Sequence, residues 1–200
     1  MLHYNRAIIS YLQLPNDYSQ RLQSEEWTFG TGEGVKPTLE ELETAIKALD
    51  FVYLEVHALA VSADFKWDHR IRNLTGADVY EYRLNDVQEI RSLARLLQVR
   101  IRFQLRQGDF DGAISSISDE ICLAEFVGQG ETVVQKLVGI AIQAMMRDRI
   151  TNAIATPGCP NLYWAIATIP QPLNSMSESV LWELNNVSRV LPVFGRSRNR

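Results

Sequence analysis

Between residues 39 and 60, apolar residues return at alternating spacings of three and four: Leu39, Leu42, Ile46, Leu49, Tyr53, Val56 and Ala60. A β-strand turns its side chains over at every second residue, whereas an α-helix brings residues three and four apart onto one face. This stretch can gather its apolar side chains only as a helix. Pro37 precedes it, and Thr38 with Glu41 has the spacing of a capping box, in which each side chain satisfies a backbone N–H that the first helical turn leaves open. The spacing predicts a helix over residues 38–62. Phe51, Val52, Leu54, Leu59 and Val61 widen its apolar arc beyond a two-stranded seam, which predicts a central place in a bundle.

The same period recurs along the chain. Residues 2–14 carry Leu2, Ala7, Ile8, Ile9, Tyr11, Leu12 and Leu14 before Pro15, an apolar girth wide enough to predict burial between other helices. Over residues 16–36 the pattern lapses, and Gly30, Gly32 and Gly34 mark a flexible connection that Trp27 and Phe29 are expected to pin to the core. Residues 63–83 are irregular and dense in aromatic and charged side chains. Helices are then predicted over 85–106, with Val87, Ile90, Ala94, Leu97, Ile101 and Leu105 on one face, and over 109–127, burying Phe110, Ala113, Ile114, Ile117, Ile121 and Ala124. The helix predicted over 131–155 carries Val134, Leu137, Val138, Ala141, Ala144, Met145 and Ile154, with Gly139 and the alanines leaving room for a close neighbour. A short helix follows around 162–169, bracketed by prolines. The last opens on a capping box of Ser175 and Glu178, buries Val180, Leu184, Val187 and Leu191, and gives way to a basic tail over 196–200. No run alternates as a strand would.

The expectation is therefore an all-α fold, an irregular helical-hairpin bundle of about six to seven helices. It is read as one domain over residues 1–200: an N-terminal helix and glycine-rich connection (1–36), a helical core (38–155), and short C-terminal helices with a basic tail (156–200).

With 46% hydrophobic and 22% charged residues the composition is that of a folding chain, not a disordered one. A net charge of −4 argues against phosphate neutralisation as the main task, so no nucleic-acid partner is expected. No apolar run approaches the roughly 20 residues needed to cross a bilayer, and residues 1–10 lack the basic start and apolar core of a signal peptide. The chain is thus expected to be soluble, and either mature or internal to a longer one. Cys122 and Cys159 form no CxxC pair and are read as buried thiols, with a single disulfide between them left open.

Arg106-Gln107-Gly108-Asp109-Phe110-Asp111-Gly112-Ala113-Ile114 resembles the centre of a tetratricopeptide repeat: a helix, a Gly-Asp-aromatic turn, then a small residue where two helices cross. Only the hairpin over 85–127 carries it. More broadly, the runs 63–68, 94–97, 123–128, 137–142 and 157–165 are similar to a set of uncharacterised bacterial helical proteins common in planctomycetes. Proteins of that set often carry an export signal, so the resemblance implies an envelope or exported location; it implies no activity and no catalytic residues.

Three groups of side chains are candidates for function. Arg91, Arg95, Arg102 and Arg106, with Gln98 among them, fall within about 80° of one another on a 3.6-residue helix. Such a stripe suits an acidic peptide or a carboxylate, which guanidinium forks grip with paired hydrogen bonds, or it is a solvated face balanced by Asp86, Glu89 and Asp109. Asn161, Tyr163 and Trp164 follow a proline turn and can either present a ligand surface or fill a gap between longer helices. Trp67, beside Asp68, anchors the irregular segment. His57, Asp64, Asp68 and His69 match no metal signature, so no metal and no cofactor are assigned. No serine lies in a nucleophile elbow.

The preferred reading is a non-enzymatic protein- or peptide-binding scaffold, with Arg91, Arg95, Arg102, Arg106, Trp67, Asn161 and Tyr163 as contact residues. The alternatives are an enzyme or small-ligand carrier whose pocket is closed by residues 63–83, and an oligomeric envelope component.

Overall fold

The computed structural model describes residues 2–62, 85–169 and 176–190. Trp67, Asp64, Asp68 and His69, Ser175 and the basic tail lie outside those residues. Among the described residues every regular element is an α-helix, and there are ten rather than six or seven: α1 (Leu2–Leu12), α2 (Asn16–Leu22), α3 (Glu25–Thr28), α4 (Leu39–Ala48), α5 (Asp50–Val61), α6 (Asn85–Gln107), α7 (Phe110–Gly128), α8 (Val133–Ala155), α9 (Tyr163–Ala167) and α10 (Ser177–Val190). The extra elements are α2 and α3, two short helices in what reads as connection, and a break in the long helix predicted over 38–62.

That break falls at Leu49, where φ is −101° and ψ 5°. Its N–H is shared between the carbonyls of Ala45 and Ile46 at 3.1 and 3.2 Å, the tightened geometry of a helix end. The apolar seam does run as the spacing implies, but its halves serve different neighbours: α4 packs on α6, and α5 on α1 and α7. A straight helix with one continuous seam would face a single partner. The widened arc holds only in part: Val52 and Leu59 are buried, whereas Phe51, Leu54 and Val61 are exposed. α1 is likewise one-sided, burying Tyr4, Ala7 and Ile8 while Leu2, Ile9 and Leu12 face solvent.

The central helix is α6, which touches α2, α3, α4, α7 and α8 and buries nine apolar side chains from Val87 to Leu105. Its C-terminus is a Schellman turn. Gly108 takes φ +74°, its N–H bonds Leu105 O at 3.2 Å, and Asp109 N–H reaches back to Gln104 O at 2.9 Å. Asp109 then caps α7 by accepting Gly112 N–H at 2.9 Å, so one residue closes a helix and the next opens another. Thr38 and Glu41 form the predicted capping box of α4. A second one, Thr132 with Gln135, sets the start of α8 at Val133.

Two apolar clusters make the core. The larger joins α1, α4, α5, residues 87–99 of α6, residues 123–127 of α7 and Ile142 of α8, with Leu22 and, as expected, Trp27 packed in from the connection; Phe29 is not part of it. The smaller gathers Ile101, Leu105, Ala113, Ile117, Met146, Ala153 and Leu162. On α8 the buried face is Gln135, Gly139, Ile142, Met146, Arg149 and Ala153; of the apolar residues noted in the sequence, Val138 and Met145 pack against the larger cluster, whereas Val134, Leu137, Ala141, Ala144 and Ile154 point outward. The first half of this helix is apolar nearly all round, so its period does not say which side faces in. Val180 and Leu184 of α10 are also exposed, while Ser179 is buried. Cys122 and Cys159 are free thiols and only half-buried.

Candidate functional site

The four arginines of the stripe do share one side of α6, but three of them already donate to backbone carbonyls of the chain itself. Arg95 Nη1 donates to Gln23 O at 3.4 Å, Arg102 Nη1 to Glu26 O and to Trp27 O at 3.1 Å, and Arg106 Nη1 to Pro37 O at 3.3 Å. Gln23 is the C-cap of α2, and Glu26 and Trp27 belong to α3, so the guanidiniums of Arg95 and Arg102 sit where helix ends present carbonyls with partial negative charge. Among the described residues no carboxylate pairs with the stripe within 4 Å. Glu89 instead accepts from Tyr4 Oη at 3.0 Å and Asp109 caps α7. Arg91 is exposed. Burial lowers the proton affinity of Arg95 and Arg102.

This clamp gives one of the connection's glycines a definite task. Gly30 has φ +72°, and a Cβ there would lie 2.8 Å from Arg102 Nη2. Gly30→Ala is expected to cost about 1–2 kcal/mol for the left-handed backbone alone, with a further loss from displacing the guanidinium. A urea unfolding curve with an unchanged midpoint would contradict the clamp.

Beneath the clamp lies a polar layer that sequence reasoning did not find. Gln98 of α6, Glu120 of α7 and Arg149 of α8 are all at most 3% exposed. Gln98 Nε2 donates to both carboxyl oxygens of Glu120, at 2.7 and 2.6 Å, while its Oε1 accepts from Arg149 Nε. Arg149 Nη2 donates to Thr28 O, and its guanidinium lies 5.5 Å over the Phe29 ring. The amide thus stands between the two ionisable groups, oxygen toward the cation and N–H toward the acid. Burial pushes the Glu120 carboxyl up to about 8 and Arg149 down to about 10. Ser116 Oγ donates to Gln104 Oε1 at 2.9 Å on the same α6–α7 interface. The available signal was Arg149 itself, a charge three residues after Met146 and four before Ala153 on a core-facing stripe.

On the far side of the smaller cluster an apolar cleft of about 330 Å³ opens to solvent. Ile114, Ile117 and Ile121 of α7 form one wall, Ile150 of α8 the floor, and Leu162, Ala165, Ile166 and Ile169 around α9 the other wall; only Ser118 and Thr168 add hydroxyls. Asn161 and Tyr163, singled out from the sequence, flank the lining residue Leu162 along the chain but do not line the cleft. Asn161 Oδ1 accepts Tyr163 N–H at 2.9 Å and so starts α9. Tyr163 and Trp164 meet edge to face at 5.1 Å and are 65% and 75% exposed. They therefore do not fill a gap between helices.

No converging set of three His, Cys, Asp or Glu side chains exists among the described residues. His57 Nδ1 pairs with Asp119 at 2.9 Å and His3 Nδ1 with Glu55 at 2.6 Å, each a surface imidazole on a largely buried acid. No described helix is long and apolar enough to cross a membrane. No family model, curated protein or solved structure matches the chain.

Proposed function

We propose that this protein is a helical interaction module that takes an amphipathic helix of another protein into the cleft beside α9. The cleft itself carries this reading. Its volume is at the lower end of the range for ligand clefts, about 300–1,000 Å³, and its walls are isoleucine, leucine and alanine with two hydroxyls. Such a surface offers little to orient a polar metabolite and much to bury one or two large aliphatic side chains. The short helix that forms one wall also exposes Tyr163 and Trp164, residue types enriched among the contacts that dominate binding energy at protein interfaces. A helix lays anchors three and four apart into a groove of this kind. In this reading the α6–α7 hairpin is a tetratricopeptide-like unit, with its Schellman turn, capping aspartate and buried Ala113, and the arginine stripe holds the N-terminal connection instead of the partner.

Selection of a displayed library of helical peptides against the full chain tests the proposal. Enriched sequences should carry large apolar residues at helical spacing, and Ile121→Glu or Ile166→Glu, each in the lining, should weaken their binding at least tenfold, since central anchors are each worth about 2 kcal/mol or more. Enriched peptides that bind both variants as tightly as the parent would end the reading.

A second reading, self-association, is favoured by one observation. Val134, Leu137 and Ile140 on α8 and Val180, Leu181 and Leu184 on α10 are all exposed, more apolar surface than isolated side chains would give. Sedimentation of the full chain across a concentration series distinguishes it: Leu137→Glu should abolish any dimer, while Trp164→Ala should leave it intact.

A further inference from the structure

Arg149 is buried, yet it lines a second cavity, of about 390 Å³, between the turn after α3 and the C-terminal half of α8; Phe29, Thr31, Met145, Asp148, Thr151 and Asn152 complete the walls. Among the described residues, two of a guanidinium's five N–H donors meet protein acceptors, Gln98 Oε1 and Thr28 O. Both acceptors are neutral. Among the described residues no carboxylate lies within ion-pair distance of this cation, and Glu120 is reached only through the Gln98 amide. A buried charge of this kind is costly unless an opposite charge accompanies it.

We infer that Arg149 forms the floor of a binding site for an organic carboxylate with an apolar body. The fixed guanidinium presents its remaining N–H groups to the carboxylate as a fork. Phe29 and Met145 flank the apolar body, and Thr31, Thr151 and Asn152 offer hydrogen bonds to whichever oxygens the arginine leaves free. Gln98, Thr28 and the Phe29 ring hold the guanidinium in place, so little ordering is left for the ligand to impose. The high proton affinity of Glu120 works in the same direction, because a neutral Glu120 leaves the arginine's charge unmatched near neutral pH. Asp148, exposed at the mouth, opposes the ligand's charge and sets a built-in limit on affinity.

A carboxylate of this shape is either a free organic acid or the C-terminus of a peptide, and calorimetric titration of the full chain separates them. The probes are hexanoate, hexanamide, and an N-acetylated Leu-Phe dipeptide with a free or an amidated C-terminus. Saturable binding of hexanoate with none of hexanamide assigns the free acid, whereas binding of the free dipeptide alone, with the amidated form inert, assigns a chain terminus. Asp148→Asn, an exposed change that leaves the fold alone, should tighten binding about two- to fivefold, the scale of one surface charge pair. Asn152→Ala should weaken it. Arg149→Lys, which keeps the charge but loses the fork, should bind more weakly than the parent while unfolding cooperatively. Equal binding of acid and amide, no binding by any carboxylate, or an unchanged affinity in Asp148→Asn would each overturn the assignment.

Discussion

Gln98→Leu is expected to destabilise the protein by about 3–5 kcal/mol, the loss found when a buried ionic arrangement is deprived of one partner. Leucine nearly matches glutamine in size, so packing contributes little to the effect. Its origin is electrostatic: Glu120 loses the N–H group that spans both its oxygens, and Arg149 loses the acceptor for Nε. Both groups then stay buried with their hydrogen-bonding capacity unmet, each at a cost of about 1–3 kcal/mol or more. Urea unfolding followed by far-ultraviolet circular dichroism measures this as a lower midpoint with an unchanged slope. Replacing all three residues together, as Gln98→Leu, Glu120→Leu and Arg149→Met, should recover most of the loss, because an apolar layer has no charge left to desolvate. A triple variant no more stable than the single one would show that the layer stabilises by packing instead.

The second large effect is on pH. The Glu120 carboxyl, ordinarily near 4.3 in an unfolded chain, is held up to about 8 by burial in the native state. Between those values the folded protein holds a proton that the unfolded chain has released, and stability falls as pH rises wherever the native state binds more protons. The contribution is therefore complete below about pH 4 and declines as the pH climbs toward about 8, by an amount on the order of a few kcal/mol. Glu120→Gln keeps the neutral shape at every pH. It should track the parent closely near pH 5 and exceed it in stability near pH 9. Asp119, whose proton affinity burial also raises, adds a slope of the same sign to both proteins, so the difference between their curves isolates Glu120. Parallel curves from pH 5 to 9 would exclude the buried acid as the source.

Much of the helical framework was legible in the sequence because each helix carries its own local signals. The Thr38 and Glu41 box, the Gly108 and Asp109 turn, and the three-and-four spacing of α6 are read from neighbouring residues and reappear in the structure within a residue or two. What failed was partnership. Nothing local says that the seam from Leu39 to Ala60 bends at Leu49 to serve two neighbours, or which side of the largely apolar first half of α8 turns inward. Likewise the arginine stripe is a true face of α6. Its occupants are carbonyls of α2 and α3 brought in from some 70 residues away, a pairing that periodicity cannot see. Asn161 and Tyr163 were legible as a surface beside a proline turn. The isoleucines of α7 were assigned to the core, and the cleft arises because α9 is too short to cover them.

The polar layer also bears on how the three longest helices find their alignment. An all-aliphatic core lets one helix slide past another by a turn, about 5.4 Å, while exchanging one leucine or isoleucine contact for the next. Sliding α8 by that turn would carry Arg149 away from Gln98 and Thr28 and strand it among the isoleucines and leucines of the smaller cluster, so only one alignment satisfies amide, acid and guanidinium at once. Gln98, Glu120 and Arg149 act as an index pin: whatever net stability the layer contributes or costs, it removes the shifted bundles from competition.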